Sequence, residues 1–237
     1  MRLIKSAILC GTFAVYANAA TLLHHYTFGL DASDQAGTEN GALLNGATVS
    51  GGVLSLDGID DYVQFASHLI PGLGSYSITL EGRLIGGFPT YTEMISQGAS
   101  GTALYIGSSP GGGLRAGDQW GSVGSFPSDG AWHAYALTVD TDAQISILYI
   151  DGLVYNSLGS AIAPGPGGDD TRLGSQYNAH GEYFYGDLDN VRIYSGALTA
   201  AEVAGIEANA IPEPWSMTLT GAGLLLCGLR RLRPRVG

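Results

Sequence analysis

Apolar and polar positions alternate with a period of two along much of the chain. The clearest case is 76–84, where Tyr76, Ile78, Leu80 and Gly82 fall on one face and Ser77, Thr79, Glu81 and Arg83 on the other. Similar runs rich in Val, Ile, Leu, Thr and Tyr occupy 22–28, 53–56, 62–65, 102–107, 132–139, 143–150, 153–155 and 188–194, separated by Gly, Asp, Asn, Pro and Ser. Asp57-Gly58 predicts one turn between them. Asp140-Thr141-Asp142 predicts a hairpin connection, and Asp151-Gly152 a tight turn into Leu153. Strands with turn signals every eight to twelve residues or so predict an all-β sandwich or barrel. Trp132 and Tyr62 are assigned to its core. Residues 159–170, rich in Gly and Pro, read as a long loop.

One segment changes period. Thr199-Ala200-Ala201-Glu202 is a capping box, in which the Thr hydroxyl caps the third residue's N–H and the Glu reaches back. Val203 and Ile206 supply an apolar stripe at helical spacing. The helix is predicted to end near Asn209, since Pro212 forbids continuation. There is no internal repeat and no second domain.

Both ends read as addresses rather than fold. Arg2 and Lys5 form a positive start, 6–16 an apolar stretch, and Ala17-Asn18-Ala19 a small-x-small cleavage box, so 1–19 is expected to be a secretory signal. At the other end Pro212-Glu213-Pro214 precedes an apolar run over 215–229 that contains Gly221, Gly223 and Gly228. Arg230, Arg231, Arg233 and Arg235 follow it. As a helix the run spans about 22 Å, short for a membrane crossing, and its arginines would stay cytoplasmic. Together these residues resemble the PEP-CTERM sorting signal of Gram-negative bacteria: a Pro-Glu-Pro box, a short glycine-containing helix and an Arg cluster. The resemblance implies an exosortase-type processing enzyme as partner and a transient inner-membrane anchor. It also implies an exopolysaccharide-producing host, with the protein delivered to the cell surface or extracellular matrix. The expected organisation is a signal peptide over 1–19, a sandwich over 20–208, a linker over 209–214 and a membrane helix with Arg cluster over 215–237.

Charge sharpens this division. The 237 residues include 37 Gly but only 31 charged side chains. Between 21 and 210 there are four basic residues against 20 acids, a net of −16. So acidic a middle repels phosphate, which excludes a nucleic-acid partner, and it attracts cations. Cys10 and Cys227 both lie in the end segments, so the domain has neither a disulfide framework nor Cys-ligated zinc.

Five blocks follow one another in order: GGVLSLDGIDDYVQF (51–65), SYSITLEGRL (75–84), DGAWHAYALTVD (129–140), ISILYIDGLVY (145–155) and YGDLDNVRIYSGALTAAEV (185–203). Together they resemble the laminin-G-like, concanavalin A-like lectin/glucanase superfamily, over about 22–207. The resemblance implies a two-sheet antiparallel jelly roll. It says little about ligand, because that fold hosts lectins, glycosidases, adhesion modules and spacers.

DQAGTENGAL (34–43) stands where the superfamily carries an Asp-x-Ser-Gly-Asn-Gly loop, which in related domains holds a structural calcium with an Asp of the last strand. That implies Asp34, backbone oxygens near Gly37 and Thr38, Asn40 and Asp189 as ligands. Ala36 and Thr38-Glu39 depart from the pattern, and loop hydrogen bonding is the simpler role for these residues. Sugars need exposed rings with amide and carboxylate partners, which nominates Trp120 in the glycine-rich 117–124 stretch and Tyr177, Asn178, Glu182, Tyr183 and Tyr185. Glu81 and Glu93 stand isolated, and no Glu-x-Asp-x-x-Glu string is present, so a glycoside hydrolase is the third reading. Asp187 and Asp189 share a face but belong to a structural strand motif. His24 and His25 face opposite ways on a strand and cannot chelate one ion. His133 sits in a packed strand, and His68 and His180 in loops. No serine elbow, His-Glu-x-x-His, phosphate loop or EF-hand occurs. The expected function is an exported, non-enzymatic surface or matrix protein that binds polysaccharide. The alternative is a structural or adhesive module that contacts proteins.

Overall fold

The computed structural model describes residues 19–88, 90–99, 101–164, 169–176 and 181–208. Its strands, in chain order, are β1 (Thr21–Tyr26), β2 (Ala42–Leu44), β3 (Thr48–Ser50), β4 (Val53–Asp57), β5 (Tyr62–Gln64), β6 (Tyr76–Leu84), β7 (Thr92–Gly98) and β8 (Leu104–Ser108). They continue as β9 (Gly113–Arg115), β10 (Ser122–Ser125), β11 (His133–Asp140), β12 (Ile145–Ile150), β13 (Leu153–Leu158), β14 (Asp169–Leu173) and β15 (Tyr185–Ser195), and the helix α1 (Ala200–Ala208) follows. All pairings are antiparallel. Sheet A runs β13-β12-β11-β6-β15-β4-β3, with β1 also on β15. Here β4 pairs with Tyr185–Leu188 and β1 with Val191–Ser195, so two short strands share one edge of a long one. Sheet B runs β10-β9-β8-β7-β14-β5-β2. The result is an all-β, two-sheet antiparallel sandwich with one short helix: the alternation predicts a sandwich or barrel, and the resemblance implies two sheets.

The inner faces meet in one core that includes Tyr26, Phe65, Tyr76, Ile78, Leu80, Met94, Tyr135, Leu137 and Phe184. Burying such side chains supplies roughly 1.5–3 kcal/mol each. The buried Tyr hydroxyls are not wasted: Tyr26 donates to the Glu39 carbonyl and Tyr76 to that of Ile162, each at 2.7 Å. The opposite row of β6 is buried as well, because the chain leading into α1 crosses it. Ser77 Oγ donates to the Gly196 carbonyl at 3.0 Å and accepts the Leu198 N–H at 2.8 Å. Val203 then seats α1 beside Ala136, Tyr149 and Tyr194. The capping box forms as expected, with Glu202 Oε2 accepting the Thr199 N–H at 2.7 Å and Thr199 Oγ1 accepting the Glu202 N–H at 3.3 Å. Asp151 and Gly152 both take positive φ (51° and 75°), the geometry of a two-residue turn matched to strand twist, and Gly meets it without steric cost.

Two core assignments are corrected. Trp132 shares the outward parity of Ala134 and Ala136, and its partly exposed ring lies 5.2 Å from the Arg83 guanidinium. Tyr62 shares the outward parity of Gln64, while Val63 turns inward. Within the predicted loop 159–170, β14 begins at Asp169. The expectations for 1–18 and 209–237, including Pro212, Glu213, Pro214, Arg230 and Arg231, lie outside the described residues. Among the described residues no helix is long and apolar enough to cross a membrane.

Candidate functional site

The side chains on the outer face of sheet B converge. Register places Glu93 beside Gly107 and Gly107 beside Arg115, and it lines up Gln64, Arg172, Ser96 and Tyr105 in a second row. At the centre Glu93 is fully buried. Burial pushes its carboxyl well up, and the Glu182 side chain beside it pushes it further; Arg115, with Nη1 3.5 Å from Glu93 Oε1, pulls the other way. Gly107 makes the room: a Cβ there would sit 2.1 Å from the Thr92 carbonyl oxygen and 2.3 Å from Glu93 Oε2. Glu182 is held with φ 58°, an uncommon left-handed conformation for a residue of its kind, and its carbonyl accepts the Glu93 N–H at 2.9 Å.

Arg115 extends the network. Its Nη2 donates to the Tyr105 hydroxyl, and its guanidinium lies 4.3 Å from the Tyr105 ring and 4.5 Å from the Tyr91 ring. The Tyr105 hydroxyl donates to Asp118 Oδ1 at 3.2 Å, while Asp118 Oδ2 accepts the Gly101 N–H at 2.7 Å. Burial pushes the Tyr105 phenol up. Along the second row the Arg172 guanidinium lies 5.0 Å from the Tyr62 ring, and Tyr62 faces Tyr183 with ring centres 6.5 Å apart. Tyr91 is 41% exposed and forms the open rim.

Of the sugar-site candidates, Glu182 and Tyr183 belong to this face. Trp120 does not: its ring is partly buried against the inter-sheet core, so it offers no solvent-facing platform there. Tyr185 is exposed on the first residue of β15, on sheet A. Tyr177 and Asn178 lie outside the described residues. The sequence reading missed Glu93 as part of a pair, together with Tyr91, Tyr105, Arg115, Asp118 and Arg172. The run TEMISQG (92–98) puts polar residues at 93 and 96 against apolar ones at 94 and 95, and the stagger hides its alternation. The register shift between Glu93 and Ile95 is the physical source of that stagger.

Of the five calcium candidates, Asp34, Gly37 and Asn40 lie together in one loop, and Asp189 is held on β15. The Asp34 side chain is fully buried, with Oδ2 2.7 Å from His24 Nδ1. Its oxygens also accept the N–H groups of His25 (3.0 Å), Ala36 (3.1 Å) and Glu39 (3.3 Å). Burial pushes this carboxyl up, but His24 and the N–H groups of His25, Gly37 and Ala36 outweigh it and hold it at about 2. Asn40 Oδ1 accepts the Asp34 N–H at 2.9 Å. Asp189 sits on sheet A opposite Glu81, with its oxygens on the Asn190 N–H and side-chain amide. A carboxylate saturated by N–H donors does not fit a calcium ligand; it closes the loop on itself. The β4–β5 turn does gather Asp57, Asp60 and Asp61, with one carboxylate oxygen of each within 4.8 Å of the others. Such groupings are common on acidic surfaces, and this one carries no assignment.

The sandwich geometry has known counterparts. Domain 4 of an extracellular arabinanase from Geobacillus stearothermophilus, solved in complex with arabinotriose, aligns at 22% identity and TM-score 0.60, covering 80% of this chain and 100% of that domain. Trypanosoma rangeli sialidase aligns at 13% identity and TM-score 0.63, covering 80% of this chain and 32% of the sialidase. The binding domain of botulinum neurotoxin serotype D/C aligns at 10% identity and TM-score 0.58, covering 80% of this chain and 52% of that one. At these identities the likeness is one of fold. No curated protein sequence matches the chain. Residues 57–204, more than half of the chain, match the Laminin_G_3 model of the concanavalin A-like lectin/glucanases superfamily, and the chain belongs to that family.

Proposed function

We propose that this protein is an exported, non-enzymatic carbohydrate-binding module whose glycan lies on the outer face of sheet B. One observation carries the reading: the face combines partly exposed tyrosine rings at Tyr91, Tyr62 and Tyr183 with a polar network of Arg115, Glu93, Glu182 and Asp118. Rings stack on the C–H faces of sugars, and charged or amide groups take the hydroxyls. The arabinanase domain in complex with arabinotriose supports it by analogy. The absence of a Glu-x-Asp-x-x-Glu string from the sequence supports binding over hydrolysis. Export rests on the signal-like 1–19, and surface or matrix delivery by an exosortase-type enzyme on the Pro212-Glu213-Pro214 box, the apolar run and the Arg cluster.

A panel of immobilised glycans probed with the purified protein tests the binding. Tyr91→Ala and Tyr183→Ala are each expected to weaken the best ligand by about tenfold, the loss of one ring contact of roughly 1.4 kcal/mol, with the fold intact. A flat panel from folded protein sinks the proposal and leaves a protein-contacting module. Release of reducing ends from any bound glycan would overturn the non-enzymatic reading. Mass spectrometry of the mature C-terminus tests the processing, which predicts cleavage near Pro214.

A further inference from the structure

Every arginine of the described domain but one donates to an acceptor. Arg83 donates to Asp187, Arg115 to Glu93 and Tyr105, and Arg192 to Asn190 Oδ1 at 3.1 Å and the Asn190 carbonyl at 3.4 Å. Arg172 is only 8% exposed, yet its Nε and Nη1 meet no acceptor among the described residues, and it forms no ion pair there. Its one recorded partner is the face of Tyr62. Scarcity of acids is no explanation in a domain with 20 of them.

A buried, unpaired cation is among the costliest features a fold can hold. Glu93, at the same face, can lessen that cost by taking up a proton, the direction in which its burial pushes it. A guanidinium cannot escape by titration, because it stays charged at any accessible pH. No acceptor reaches the Arg172 Nε or Nη1 among the described residues, so an anion supplied from outside is the relief to test. Gln64 and Ser96 flank Arg172 in register, and Gln64, Tyr62 and Tyr183 on the same face are partly exposed. A planar carboxylate matches the guanidinium fork, and the two tyrosine rings suit the sugar ring that would carry it.

We propose that Arg172 receives the carboxylate of an acidic sugar residue, of the uronic acid type, beside Tyr62 and Tyr183. This deepens the carbohydrate-binding reading and rests on it. The ligand is then an anionic polysaccharide, which a domain of net −16 would otherwise repel. One buried cation in aromatic surroundings makes that binding selective, since the rest of the surface opposes polyanions that cannot reach it.

The test is calorimetric titration of the purified full-length protein with oligomers of galacturonate, glucuronate and mannuronate, each against its neutral methyl ester. At least one acid is expected to bind at least tenfold tighter than its ester. Arg172→Met is expected to erase that difference and to raise the melting temperature, since it removes an unpaired buried charge. Equal binding of acid and ester overturns the assignment of Arg172 and leaves the carbohydrate reading standing. Failure of every acidic and neutral glycan overturns both. Preference for dextran sulfate over dextran without any acid-over-ester preference overturns the carboxylate in favour of a sulfated ligand. A lower melting temperature in Arg172→Met would show the guanidinium to be a structural strut and overturn the proposal by a second route.

Discussion

The outer faces of the two sheets solve one problem in opposite ways. Each carries titratable side chains in a half-buried setting. On sheet A the face is roofed by α1 and the segment leading to it, and its charges are mostly acids. Burial pushes Glu81 up to about 7, with help from Asp189; it pushes Asp189 up to about 6; and it pushes Glu207 up to about 7, with help from Asp151 and Glu81. Both arginines there are engaged, Arg83 with Asp187 and Arg192 with Asn190. A cavity of about 380 Å³ opens beside Glu207, Asp151 and Leu153. Among the described residues no helix covers the outer face of sheet B, its acids are knitted to Tyr105 and Arg115, and its remaining arginine meets no acceptor. A fold can neutralise a buried acid by leaving it protonated, but it can neutralise a buried guanidinium only with a partner. The first face is therefore self-contained, and on the second the proposed ligand would complete Arg172.

The largest effect should come from breaking the roof. Val203 is fully buried, and Val203→Asp places an unpaired charge under α1. The expected loss is about 3–5 kcal/mol, on the order of 10 °C in melting temperature for a domain of this size. Differential scanning calorimetry measures it. Glycan affinity, read below the new transition, should be unchanged, because sheet B does not touch the helix. A parallel loss of affinity would mean that the two faces are not independent.

Acid and alkali should sharpen the contrast next. Glu81, Asp189 and Glu207 bind protons more tightly folded than unfolded, so protonation favours the fold. Their charging penalty is absent below about pH 4, where the unfolded groups are also protonated, and complete above about pH 7. His133 acts in the same sense: burial lowers it, but Asp151 and Asp129 outweigh that and raise it, so its contribution fades as pH rises through its folded value. The melting temperature is expected to fall by on the order of 5 °C from pH 5 to pH 8. Glu207→Gln should recover part of that fall at pH 8 and nothing at pH 4. An alkaline protein as stable as the acidic one would remove the buried acids of sheet A from the account. Below pH 4 the trend reverses, as the Asp34 loop loses its carboxylate on the way down to about pH 2.

What the sequence disclosed follows from how local each signal is. β6 is legible to the residue because its alternation is unbroken. The Thr199 capping box and the Asp151-Gly152 turn are legible because three or four adjacent residues contain the whole mechanism. Sheet B was harder. β7, β9 and β14 are short or staggered, and β14 lies in a stretch whose Gly and Pro content reads as loop. The candidate site inherits that difficulty. Glu93 and Glu182 are 89 residues apart in sequence, and only the pairing of β7 with β8 and β14 brings their neighbourhoods together. Asp34 misled for a related reason. A loop rich in oxygen ligands and a loop that satisfies its own N–H donors have the same composition, and only the hydrogen bonds tell them apart.

The smallest expected effect is the most informative about sheet B. Burial favours the neutral form of Glu93, so Glu93→Gln puts a neutral side chain of nearly equal shape in its place. The variant should stay within about 1 kcal/mol of the parent at pH 7. Were both carboxyls ionised in the parent, the same change would relieve repulsion in a buried setting and raise the melting temperature by several degrees. The two cases separate again at high pH. The parent should then lose stability relative to Glu93→Gln as Glu93 gives up its proton, while the difference at pH 5 stays near zero. A variant that is more stable than the parent at every pH would show that the pair carries two charges. It would also make the outer face of sheet B as acidic as that of sheet A, and the contrast between the faces would rest on Arg172 alone.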